Sequence, residues 1–173
     1  MRMTSNMLHV KNRLFAAFQE DHAVLGRSLH DLRILINTGE AVPIRDLAKQ
    51  IIETSGAHIA FEEFEFYPAL RSHLSEAEVT NMYLEHAEGL QLLEELSAIE
   101  DGKLFSSDFL KHVYSSLDVL DHHVADCGNL FGAMGGLSEI EYGDLINKIE
   151  YWRELSPTWS DIENLSKMEE GIV

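Results

Sequence analysis

Apolar side chains recur along most of the chain at steps of three and four, the period of a helix with one buried face. The first such stretch covers residues 6–36, with Phe15, Phe18, His22, Leu25, Leu29 and Leu32 on one stripe. Asn37-Thr38-Gly39 ends it, because glycine can take a left-handed C-cap. A second helix is predicted from Pro43, where a first-turn proline loses no hydrogen bond, to about Leu74. Near its end it is apolar almost all round (Ile59, Phe61, Phe64, Phe66, Tyr67), the mark of a helix covered on several sides. Pro68 should end or kink it. Ser75-Glu76-Ala77-Glu78 is a capping-box pattern and opens a third helix running to about residue 100, with Val79, Met82, His86, Leu90, Leu93 and Leu96 inward. Ser106-Ser107-Asp108 offers caps for a fourth, ending near Met134 before Gly135-Gly136. A fifth, over 138–155, carries Ile140, Leu145, Ile149 and Trp152, and a short last turn spans 159–168. The pattern is all-α: a four-helix bundle over residues 1–136 and a C-terminal helical extension over 137–173. The extension should cover apolar surface on the bundle or take part in a homodimer interface, since Ile59, Phe64, Tyr67, Phe109, Val113, Leu120, Phe131 and Met134 exceed what a lone bundle buries.

Composition narrows the function. A net charge of −17 repels nucleic acid and anionic membrane surfaces. The single cysteine, Cys127, excludes an internal disulfide, and no Cys-x-x-Cys is available for zinc. The first ten residues have no signal-peptide hydrophobic stretch, and no run of about 18 apolar residues occurs, so a cytoplasmic setting is expected.

The chemistry lies in a repeat. His58-Ile-Ala-Phe-Glu62-Glu63-Phe-Glu-Phe-Tyr67-Pro68 returns 64 residues later as His122-His123-Val-Ala-Asp126-Cys127-Gly-Asn-Leu-Phe131-Gly132. Each copy has an imidazole, a carboxylate at i+4, an aromatic ring at i+9 and a helix breaker at i+10. Residues four apart share a helix face, so each copy can offer a nitrogen and an oxygen to one cation. The same shift carries His22 onto His86. Two metal ions held inside the bundle are therefore expected. On the fourth helix periodicity and repeat disagree: the apolar face of Phe109, Val113, Leu120, Cys127, Phe131 and Met134 lies nearer His123 than His122. His123 with Cys127 at i+4 makes a rival pair, and the repeat register favours His122 with Asp126. Glu63 reads as an ion-pair or supporting contact. His9, His30, His73 and His112 read as surface or core residues away from the ligand layer.

The stretch from about residue 10 to 134 resembles the hemerythrin-like proteins with a His-His-Glu cation-binding domain, most specifically at His58-x-x-x-Glu62-Glu63-x-x-x-Tyr67-Pro68. The resemblance implies an up-down-up-down bundle holding a non-haem di-iron centre, with ligands His22, His58, Glu62, His86, His122 and Asp126 by position. Leu90 stands where oxygen-carrying members have a further histidine, and Asp126 lies four rather than five residues after its imidazole. Both departures point to the more symmetric branch with four histidines and two carboxylates, parts of which are linked to repair of iron–sulfur clusters.

Imidazole and carboxylate donors suit two iron ions, with manganese or zinc as alternatives. An apolar wall including Leu90 would admit O₂, NO or peroxide sooner than a large polar substrate. The expected function is to bind or sense such a small ligand. The competing readings are a di-iron redox enzyme or repair factor under oxidative or nitrosative stress, including iron donation, and an interaction bundle whose histidines are merely buried.

Overall fold

The computed structural model describes residues 5–103 and 105–169, and among them every regular element is a helix. Four long segments form the bundle: α1 (Ser5–Thr38), α2 (Ala41–Phe61), α4 (Glu76–Ser97) and α5 (Ser107–Ala133). Each packs on the next, and α1 also meets α5, so the four enclose a common interior. Two further helices, α6 (Glu139–Leu155) and α7 (Trp159–Glu169), lie on this bundle, α6 against α1 and α2, α7 against α2 and α4. No helix of the described residues is long and apolar enough to cross a membrane.

The start and stop signals act as their chemistry requires. Gly39 turns the chain at φ +71° after α1. Ser75 accepts from the Glu78 amide while Glu78 accepts from the Ser75 amide, and Ser138 and Glu141 repeat that exchange at α6. Thr158 and Asp161 do the same at the head of α7.

Helix α2 explains its own composition. With α1, α4, α6 and α7 all against it, Ile44, Ile51, Ile59, Ala60 and Phe61 are buried. Phe64, which a bare bundle would leave wet, stacks on Trp152 of α6 at 5.7 Å between ring centroids. Val113, Leu117 and Leu120 of α5 and Tyr67 are likewise buried within the single chain, each such side chain being worth about 1.5–3 kcal/mol.

Pro68 does not stop the helix. The backbone widens into one π-helical turn over Glu62–Phe66, in which the Tyr67 amide donates to the Glu62 carbonyl, and then resumes as α3 (Tyr67–Leu70). Proline cannot donate to Phe64 and its ring would collide with that carbonyl in an unbroken α-helix. Lengthening the preceding turn relieves both conflicts. It also brings Glu62, Glu63 and Phe66 inward together, all three buried.

Candidate metal centre

Midway along the bundle a ring of imidazoles surrounds one carboxylate. Glu62, with no exposure to solvent, holds Oε1 3.6 Å from His22 Nε2. Its Oε2 lies 3.4 Å from His58 Nε2, 3.0 Å from His86 Nε2 and 3.5 Å from His123 Nε2. One histidine thus comes from each of α1, α2, α4 and α5, and all four present Nε2 inward. They fall into two pairs, His22 with His58 at 4.3 Å between ring centroids and His86 with His123 at 4.6 Å.

The outer nitrogens have partners of unequal quality. His86 Nδ1 lies 2.8 Å from Glu63 Oε1, and His123 Nδ1 lies 3.0 Å from Glu85 Oε2. His22 Nδ1 meets the Phe18 carbonyl, at 3.0 Å, and His58 Nδ1 faces Asp21 Oδ2 at 3.8 Å, beyond hydrogen-bond reach. Glu63 also accepts from Ser166 Oγ of α7 at 2.8 Å, and Asp21 accepts from Arg153 of α6 at 2.6 Å. The Tyr67 hydroxyl sits 3.3 Å from His86 Nε2.

The electrostatics follow from burial and pairing. Burial pushes His22 down to about 4, with the neighbouring His58 adding to the effect and Glu62 opposing it. Burial would also lower His86, but hydrogen bonds to Glu62 and Glu63 outweigh it and raise the imidazole above its usual 6.5. Burial works to raise Glu62, yet the surrounding histidines hold it well below the ordinary carboxylate range. His22 Nε2 and both ring nitrogens of His58 are buried with no hydrogen-bond partner among the described residues. Such orphaned polar atoms are costly unless something binds them.

The family model of the hemerythrin HHE cation-binding domain matches residues 13–131. The chain belongs to that family. Among curated proteins and among solved structures, nothing matches. The donor set fits what a hemerythrin HHE domain holds: the inward atoms of His22, Glu62 and His123 all lie within 4.8 Å of one another, so buried imidazole and carboxylate donors from both pairs stand at metal-ligand spacing.

Of the six positions expected from sequence, the structure gathers four: His22, His58, Glu62 and His86. His122 and Asp126 are corrected. They sit on the outer face of α5, paired with each other at 2.9 Å, with side chains 68% and 55% exposed, and take no part in the cluster. His123, with its side chain 2% exposed, occupies the inner position instead. The reason is the helix face: Val113, Leu117 and Leu120 point into the core, and continuing their period by three arrives at 123. The side chains of Cys127 and Phe131 lie outside the described residues. Sequence reasoning passed over Asp21 and Glu85. The repeat carried the signal, because the shift that maps His22 onto His86 also maps Asp21 onto Glu85.

Proposed function

We propose that this hemerythrin HHE domain holds two iron ions, one at His22 and His58 and one at His86 and His123, with Glu62 between them as a shared carboxylate. The observation that carries the reading is the convergence of four buried Nε2 atoms on one fully buried Glu62. Charge supports more than one ion. Asp21 is already paired with Arg153, but Glu62, Glu63 and Glu85 also face the cluster, and together they carry more negative charge than one divalent ion would offset.

Two imidazoles and a share of Glu62 would hold each ion, and the donors that these residues do not supply would be left to small ligands. Iron, when bound, supplies a redox-active position that takes O₂, NO or peroxide as a ligand. The protein supplies its surroundings. Phe18 lies 4.3 Å from the His22 ring and 5.3 Å from that of His58, while Tyr67 and Trp159 lie 5.7 and 6.0 Å from His86. These rings and buried Leu90 exclude bulk water and any sizeable polar substrate. The Tyr67 hydroxyl provides a hydrogen-bond donor on the His86 side.

The test is anaerobic reconstitution of the purified chain with Fe(II), followed by ion counting and a visible spectrum before and after O₂, NO and peroxide. Two ions per chain and a reversible spectral change on adding O₂ or NO are expected. At most one ion per chain would refute the two-metal centre. Multiple turnovers of peroxide or NO would replace binding with catalysis.

A further inference from the structure

The two halves of the cluster are built to one plan. In each, an acid stands immediately before the first histidine and faces Nδ1 of the second: Asp21, before His22, faces His58, and Glu85, before His86, faces His123. The plan is carried through in one half only. Glu85 reaches His123 at 3.0 Å, and its other oxygen accepts from the neutral amide of Asn81 at 2.6 Å. Asp21 is one methylene shorter and stops 3.8 Å from His58. Its other oxygen is drawn to the Arg153 guanidinium at 2.6 Å, and that guanidinium is anchored by the Ala17 carbonyl at 3.0 Å and Glu20 at 3.3 Å. The remaining histidine of each half repeats the contrast. His86 is braced by a carboxylate that Ser166 holds in turn, and His22 by a neutral backbone carbonyl.

A carboxylate bonded to the outer nitrogen of an imidazole fixes its orientation and makes the inner nitrogen a better donor, and losing such a partner typically costs 10–100-fold in metal affinity. Resting on the two-metal reading above, we infer that the two metal positions are unequal: a firm one at His86 and His123, and an exchangeable one at His22 and His58. Arg153 of the C-terminal extension maintains the inequality by holding Asp21 away from His58. Arg153 and Asp21 are positioning residues, acting on an ion only through an imidazole.

The experiment is anaerobic titration of the full-length metal-free chain with Fe(II) against a competing chelator, read as a binding isotherm. Wild type should load in two steps, the second about tenfold weaker or more. His86→Ala should abolish the tight step, and His22→Ala the weak one. Arg153→Met keeps the aliphatic stem over α1 and removes the guanidinium. It should tighten the second step, narrowing the gap by up to about tenfold. In an Asp21→Ala background the same substitution should change nothing, a cancellation that general loosening of α6 would not produce. Two ions of equal affinity in wild type would overturn the inference and leave the centre standing. So would an Arg153→Met effect that is absent or that survives without the Asp21 carboxylate. A chain that takes up no iron at all would overturn the centre and this inference together.

Discussion

Gly56→Ala sets two physical effects of opposite sign against each other. Gly56 lies within α2, where alanine is favoured over glycine by about 0.5–1 kcal/mol through backbone entropy. A Cβ built there, however, would come within 2.2 Å of the Pro157 carbonyl oxygen, 2.3 Å of the Thr158 carbonyl carbon and 2.6 Å of the Trp159 amide. These are backbone atoms at the head of α7, so no rotamer change relieves the clash. Overpacking of this kind costs about 1–3 kcal/mol. If α7 lifted away instead, Trp159 and Ile162, now 1% and 0% exposed, would forfeit about 1.5–3 kcal/mol each. The cheaper route wins; a clash with rigid backbone belongs at the upper end of that range, so after the helix gain the net loss is about 2 kcal/mol. For a chain of 173 residues that is a fall in Tm of about 4–8 °C, read by thermal unfolding of the metal-free protein. Gly143→Ala is the control. It sits in α6, its added Cβ meets nothing within 4 Å, and it should gain about 0.5–1 kcal/mol. If Gly56→Ala were as stabilising as Gly143→Ala, α7 would not rest on α2 and the packing argument would fail.

Two further outcomes follow from the centre. His123→Ala should cost an iron ion while His122→Ala keeps both, and ion counting that returned the opposite order would restore the register of the repeat. Loading should weaken with acid from the His86 side. His86, raised above 6.5, is protonated in the metal-free chain at higher pH than His22, which burial keeps neutral down to about 4. Binding must displace that proton, so apparent affinity should already be falling as pH drops through the raised His86 value. Iron content at equilibrium that held constant down to pH 5 would contradict this.

Much of the helical architecture was legible because its signals are local. Gly39, the Ser75 box and the stripes on α1 and α4 each depend on residues within one turn of themselves. The all-round apolar end of α2 signalled cover on several sides before any partner helix was identified. The site was read less completely, for two reasons. A doubled histidine leaves the register of α5 to be decided by either similarity or burial. Similarity chose His122, but Val113, Leu117 and Leu120 settle which side of the helix is inward. The bracing acids were harder still. Asp21 and Glu85 read as charges one step off a buried stripe, and their roles depend on where α2 and α5 come to lie beside them. Ser166 and Arg153 had no signal at all, because their contacts lie 103 and 132 residues away along the chain.

The widened turn at Glu62–Phe66 has a kinetic consequence. His22, His58, Glu62, His86 and His123 are each at most 6% exposed, so a hydrated ion cannot reach them by diffusion through the folded protein. Some segment must open first, and openings favour segments with few buried contacts. The widened turn is not one of these, since Glu62, Glu63 and Phe66 are buried, so an ion enters only when the helices packed around it part. Metal uptake should therefore run at a rate set by the protein's own breathing, independent of iron concentration once iron is in excess. By turning Glu62 and Glu63 inward, the widened turn puts the filling of the centre behind that opening.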